Sequence, residues 1–291
     1  MLGFFHIETY SRRRAAQRKG DTHTLSDIVG EMSRQPGHCN HVPRPRTPHL
    51  IHGLTPQEAL RRIEGEAEAA RDRRGFRLRE DARVAVVFVA SYPIAIHELV
   101  QDDAALHEYL DWERAAIAWA TGEWEDAFRS AVRHVDEGYS HFHGILAEPS
   151  DAALTPLLHP GLAASVEVYE AWRAQGRDME RTGEAKREAW NAHQAAMIEM
   201  QDDYHVAVGS RYGHGRKGEV PQPRMSHVQH VMRYGRLKDR LPEIDMTALS
   251  PDALAFLGEE LPGARLPVIQ TLRRPKQATG AYTGPVTLLG R

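Results

Sequence analysis

The sequence predicts an α+β fold, and three observations carry that reading. Strand-type stretches are few and well separated: "GFFHIETYS" near the start, the β-branched run "ARVAVVFVASYP", and the pair "SAVRHVDE" and "SHFHGIL" on either side of "EGYS". Between and after them run long segments whose apolar residues recur at helical spacing. The pair around "EGYS" has the short, glycine-containing connection of a hairpin, which makes that strand pairing antiparallel.

In chain order, alternating apolar and polar residues predict a first strand from Phe4 to Tyr10. The next forty residues read as loop and short helix. "PGHCNHVPRPRTPHLIHG" is proline-rich and reads as extended, irregular chain. Thr55, Pro56 and Glu58 form a capping box with proline at the first helical position, predicting a helix to about Arg74, where Gly75 stops it. In "ARVAVVFVASYP" the apolarity is uninterrupted, which predicts a strand buried on both faces and ended by Pro93. Asp103 to about Phe128 is helical, with Leu106, Leu110, Trp112, Ile117 and Trp119 on its apolar side and an interruption near Gly122. Residues 163–208 read as one or two long helices with Trp190, Met197, Met200, Tyr204 and Val208 as a core stripe. Beyond "GSRYGHGRKGEVPQP" the chain is rich in Gly and Pro. The expected organisation is a core over 1–160, a helical extension packed on it over 161–225, and a loosely structured tail over 226–291.

Composition narrows the class. At 291 residues, 41% hydrophobic and 26% charged, the chain can bury a real core. It has no apolar run near the roughly 20 residues that span a bilayer, and "MLGFFHIETYSRRR" places its charges after the apolar stretch, unlike a signal peptide. Cys39 is the single cysteine, which excludes an intrachain disulfide and a cysteine-based zinc knuckle; a cytoplasmic location is expected. A net charge of -3 argues against nonspecific coating of nucleic acid, but the charge is uneven. Residues 1–80 carry 15 Lys/Arg against 10 Asp/Glu, and residues 81–160 carry 4 against 14. "RRRAAQRK", from Arg12 to Lys19, is the basic run that could face phosphates.

Of the 17 histidines, those in "RHVDEGYSHFHGIL" form a pattern. On a strand His141 and His143 project from one face and Phe142 from the other; His134 and Asp136 share a face of the preceding strand. A closed hairpin sets His134 across from the His141/His143 pair. Three neutral imidazole nitrogens with positions left open for water or substrate suit a divalent cation.

"HVDEGYSHFHGILAEP" resembles the metal motif of the Mob/Pre plasmid mobilisation relaxases, part of the HUH endonucleases: His, an apolar residue, Asp-Glu, three turn residues, then His-apolar-His. "LSDIVGEMSRQPGHCNHVPRPRTPHLIHG" and "EMQDDYHVAVGSRYGHGRKGEVPQPRMS" resemble, more weakly, the family's nucleophile segment and the helix end and basic turn that follow the motif. Together these cover roughly residues 4–225.

The resemblance implies a relaxase-like core with a central, mainly antiparallel sheet flanked by helices. It implies nicking of single-stranded DNA at a plasmid or mobile-element transfer origin, through a covalent 5'-phosphoprotein. Mg²⁺ or Mn²⁺ would be held by His134, His141 and His143, with Glu137 or Asp136 orienting an imidazole or the nucleophile. Accessory mobilisation proteins are expected partners. The departure lies at the nucleophile. Known members carry His-Asn-x-Arg there, and the best register puts Glu31 at the histidine position, followed by Met32, Ser33 and Arg34. Tyr10, Glu31, His38 and His41 all stand as candidates. Arg34, Arg12, Arg13, Arg14 and Arg44 are candidate phosphate contacts. Two other readings stay open: a relaxase-like DNA-binding or accessory protein without a nucleophile, and a metal-dependent phosphodiesterase with no DNA role.

Overall fold

The computed structural model describes residues 4–14, 23–176, 183–216 and 241–259. Its centre is a five-stranded sheet of β1 (Phe4–Ser11), β2 (His49–Gly53), β3 (Arg83–Ala95), β4 (Phe128–His134) and β5 (Tyr139–Leu146), in the order β1-β3-β5-β4-β2. Every pairing is antiparallel. Helices cover both faces, so the α+β class with a mainly antiparallel sheet is what the protein has.

The pleat sorts the strands into two faces. Phe5, Ile7, Val86, Phe88, Tyr92 and Phe142 face α3 (Ile96–Leu99), α4 (Asp103–Trp124), α6 (Gly183–Ala207) and α7 (Pro251–Phe256), which contribute Leu99, Tyr109, Trp112, Trp124, Tyr204 and Phe256. Ala85, Val87, Val132 and Ile145 face α1 (Leu25–Met32) and α2 (Pro56–Ala69), which contribute Leu25, Val29, Met32, Ala59 and Ile63. Burial of β3 on both faces is as expected.

Several boundaries differ from the sequence reading for identifiable reasons. α2 opens with the Thr55/Glu58 box but stops at Ala69, because the Arg71 guanidinium folds back onto the carbonyls of Glu68, Ala69 and Ala70 and satisfies the helix end. β3 continues past Pro93, which lies where the register with β5 is irregular between Ser91 and Ala95, so no ladder bond is lost there. α4 runs through Gly122 to Trp124, held by the aromatic residues of its buried side. β2 was not anticipated: it is a short edge strand hidden among prolines, with no burial alternation to announce it. The region 163–208 is two helices, α5 (Pro160–Ala174) and α6, packed side by side. Met200, Tyr204 and Val208 are buried as expected, whereas Trp190 is 61% exposed and stacks on His193 instead.

Most of the expected tail, and the basic run beyond Arg14, lie outside the described residues. Residues 241–259 pack on the core: Phe256 and Leu257 are buried, and the Arg46 guanidinium donates to the Leu257 carbonyl at 2.8 Å. Among the described residues no helix is long and apolar enough to cross a membrane.

Candidate metal centre

The hairpin of β4 and β5 sets His134 directly opposite His141, and Val132 opposite His143. All three imidazoles lie on the α1 side of the sheet, with ring centroids 5.1 to 5.2 Å apart. Each is buried, and each offers a nitrogen within 4.8 Å of the others. Phe142 between them points into the opposite core, where it meets Phe88 and Trp112.

Two carbonyl oxygens fix the protons. His134 Nε2 lies 2.9 Å from the Met32 carbonyl, and His141 Nδ1 lies 3.1 Å from the Tyr139 carbonyl. A carbonyl only accepts, so both of those nitrogens donate. The remaining pair, His134 Nδ1 and His141 Nε2, face each other at 3.3 Å, and in neutral rings neither carries a proton. Two lone pairs at that distance repel unless a cation lies between them. His143 Nδ1 is buried without a hydrogen-bond partner. Burial, with the neighbouring imidazoles, pushes the pKa values of His134 and His143 far down, so both are the neutral ligand form. The donor set therefore fits a metal ion on this chain's own geometry. Nitrogen donors suit a first-row transition ion such as Mn²⁺ better than Mg²⁺, which prefers oxygen.

The local backbone is built for this contact. α1 begins with a second capping box, Thr24 with Asp27, and ends in a Schellman turn: Arg34 N–H donates to the Glu31 carbonyl and Gln35 N–H to the Gly30 carbonyl. That turn leaves the Met32 carbonyl for His134. It also places Arg34 in the left-handed region at φ 52, where a non-glycine residue loses about 1–2 kcal/mol. The compensation is visible: Arg34 Nε and Nη2 hold Asp136 at 2.9 and 2.6 Å with both side chains out of solvent, and Nη2 reaches the partly buried Glu137 at 2.8 Å. Asp136 also accepts from the Arg46 backbone N–H at 3.0 Å.

Glu137 carries the arrangement outward. Its Oε1 lies 3.6 Å from His141 Nε2 and 3.7 Å from His41 Nε2, and His41 in turn lies 3.8 Å from Glu31 Oε1. Burial alone would raise the Glu137 pKa, but His41, His141 and Arg34 together hold it far below the usual carboxylate range. Glu137 conversely pushes the His41 pKa up.

The four nucleophile candidates thus separate. His41 sits beside Glu137, with Glu31 on the far side of its Nε2 contact. Tyr10 shares the sheet face, donates to Glu8 at 3.2 Å and has its pKa raised by burial, with Glu31 adding to the rise. His38 lies against Gly30 and 3.9 Å from Asp27. Among the arginines, Arg34 is committed to Asp136 and Glu137, with only Nη1 unpartnered. Arg12 donates to the Leu78 carbonyl, Arg13 pairs with Glu80, Arg14 lies 3.4 Å from Asp27, and Arg44 is exposed.

Sequence reading missed the supports. The Met32 and Tyr139 carbonyls carry no side-chain signal. Behind the hairpin, Ser140 donates to the Tyr109 hydroxyl at 2.8 Å, Tyr109 donates to Glu113 at 3.0 Å, and Arg133 donates to Glu113 at 3.1 Å. Only Glu113, a charge on the apolar side of α4, offered a hint.

No protein-family model and no curated protein matches the chain. Among solved structures it is similar to the MobM relaxase domain (MOBV; Mob_Pre) bound to 26nt pMV158 oriT DNA, at 10% identity and a TM-score of 0.42, over 79% of this chain and 99% of that one.

Proposed function

We propose that this chain is a metal-dependent relaxase that nicks single-stranded DNA at a transfer origin. The observation that carries the reading is the three-imidazole cluster, with two tautomers fixed by carbonyls and an Arg34-held acidic pair at its side. Its motif resembles that of the mobilisation relaxases, and the chemistry asked of it is phosphoryl transfer. A divalent cation held by His134, His141 and His143 supplies Lewis-acid polarisation of a phosphate oxygen.

The chain's own residues do the rest. Arg34 holds Asp136 and Glu137 in place and helps to keep Glu137 ionised, and Glu137 with Glu31 draws His41 Nε2–H toward the carboxylates. That leaves His41 Nδ1 as the lone pair for attack. The N–P bond forms as the bond from phosphorus to the 3'-oxygen breaks, giving a 5'-phosphohistidine and a free 3' end. Tyr10, with its pKa raised and its hydroxyl donating a hydrogen bond to Glu8, is the weaker nucleophile of the two. Arg12, Arg13, Arg14 and Arg44 remain the proposed phosphate contacts.

The experiment uses the full chain, Mn²⁺ and a random pool of single-stranded oligonucleotides, recovering DNA that stays on protein after denaturation. Protein-linked 5' ends are expected for wild type and lost in His41→Ala and His141→Ala. Thermal unfolding in parallel should show Mn²⁺ stabilising wild type by roughly 2.7 kcal/mol at a hundredfold excess over Kd, and His141→Ala not at all. No Mn²⁺ effect would sink the metal reading. Metal binding with cleavage but no adduct would turn the protein into a phosphodiesterase, and metal binding with DNA binding but no cleavage into an accessory binder.

A further inference from the structure

One ring on the strand that carries two of the imidazoles is left in solvent. β5 is buried at every position from Ser140 to Leu146, whereas its first residue, Tyr139, is 53% exposed. Ser140 points to the α4 side, where its hydroxyl donates to Tyr109, so alternation turns Tyr139 to the side that His141 and His143 occupy. Same-face neighbours on a strand stand about 6.6 Å apart, and Tyr139 is the next position out from His141 on the metal face. Its backbone is held on both sides. The Tyr139 carbonyl accepts from His141 Nδ1 at 3.1 Å, and the Ile96 N–H donates to the Gly138 carbonyl at 3.1 Å. The hydroxyls of Tyr10, Tyr92 and Tyr109 each donate to a carboxylate, whereas the Tyr139 hydroxyl has no hydrogen-bond partner among the described residues. Tyr139 is thus an accessible ring on an anchored backbone.

We propose that the Tyr139 ring is a stacking platform for one base of a single strand whose phosphate lies at the imidazole cluster. The inference rests on the relaxase reading above and gives it a binding residue. The step from His141 to Tyr139 is comparable with the reach from a nucleotide's phosphate to its base, so one nucleotide can engage both positions. The face of an aromatic ring accepts any base, because every base has a π-face of its own. Local charge selects the base over a second phosphate. Asp136 and Glu137 stand in the turn just before Tyr139 with one guanidinium, Arg34, shared between them. An anion there meets an excess of carboxylate, whereas a base carries no net charge. The other aromatic rings more than half exposed among the described residues, Phe76 and Trp190, lie off the sheet.

The test is anisotropy on the full chain with Mn²⁺, using a labelled 15-mer of dT and a 15-mer of the same backbone whose sugars carry no base. Tyr139→Leu should weaken binding of the dT 15-mer roughly tenfold and leave the abasic 15-mer unchanged. Tyr139→Phe keeps the ring and should bind as wild type does. The Mn²⁺-dependent melting shift should be the same in all three proteins. Should the leucine variant fold poorly, Tyr139→Thr, β-branched and suited to a strand, carries the comparison. Equal weakening of both 15-mers would mean a backbone contact and overturn the proposal. A phenylalanine variant as weak as the leucine one would assign the contact to the hydroxyl and overturn it too. Unchanged dT binding in Tyr139→Leu, or a wild type that binds neither 15-mer, would overturn it, and a Mn²⁺ shift retained in the first case would leave the relaxase reading standing. Loss confined to the dT 15-mer in a protein that shows no Mn²⁺ shift would support the platform and remove the relaxase reading beneath it.

Discussion

The two faces of one hairpin have been put to opposite uses. On the α4 side the residues are large and aromatic: Phe142 meets Phe88 and Trp112, and Tyr109, Tyr92 and Phe256 continue the cluster. On the α1 side, one residue to either side of Phe142, His141 and His143 are buried, His141 Nε2 facing His134 Nδ1 and His143 Nδ1 without a hydrogen-bond partner. The first face gains free energy by removing apolar area from water, about 25 cal/mol per Å². The second forgoes part of that gain and buries polar nitrogens. A fold keeps such a region when the opposite face is strong enough to hold the strands in place, and when something binds there.

Mutations can break or sharpen this contrast. The largest loss is expected for Phe142→Ala, about 3–5 kcal/mol by urea unfolding, because a ring wedged between helix and sheet leaves a cavity. His141→Ala in metal-free buffer should cost far less, about 1 kcal/mol or under, since it also removes the 3.3 Å lone-pair contact. If the two losses were equal, the imidazoles would be core residues and the division of labour would fail.

Arg34 comes next. Arg34→Ala strands Asp136 and Glu137 in a buried site and should cost about 3–5 kcal/mol at neutral pH. Arg34→Gly removes the same guanidinium but accepts φ 52 without strain, so its loss should be about 1 kcal/mol smaller. Equal losses would mean that the left-handed backbone carries no strain.

A buried imidazole away from the cluster sharpens the point that burial alone is not a ligand signal. Burial, then His193, pushes the His159 pKa down to about 4, while its Nδ1 caps α5 by accepting from the Leu162 N–H. In the unfolded chain the ring titrates near ~6.5. The unfolded state therefore takes up the proton first as pH falls. The stability is complete above about pH 6.5 and is lost toward pH 4, by at most on the order of 3 kcal/mol. His159→Asn keeps the cap and removes the titration, so it should flatten the urea midpoint between pH 7 and 4.5.

Much of this was legible because it follows from alternation. Parity put His141 and His143 on one face, a closed hairpin set His134 across from them, and Thr55 with Glu58 announced α2 outright. What escaped had no side-chain pattern: β2 among its prolines, the Met32 carbonyl that fixes His134, and the left-handed Arg34 where a glycine would be expected. Trp190 failed for a related reason, since helical spacing marks an apolar stripe but not which helix face finds a neighbour. Residues 251–257 read as tail because their stripe is too short to stand out, yet Phe256 lies under the Arg133 guanidinium at 4.9 Å.

The smallest expected effect separates folding from binding within the basic segment. Arg13 and Glu80 meet at 2.9 Å, but both side chains are mostly in solvent, where an ion pair contributes little. Arg13→Ala should therefore change the unfolding free energy by less than about 0.5 kcal/mol. If Arg13 also touches a phosphate, the same substitution should lower the slope of log K against log salt for a single strand by roughly 0.7, the share of one released counterion. The two numbers come from the same side chain and differ because the pair with Glu80 is already screened by water, whereas a phosphate contact is measured against a condensed ion atmosphere. A shift in stability without a change in slope would place Arg13 with the structural arginines, beside Arg34. A change in slope with no shift in stability would place it on the nucleic-acid path.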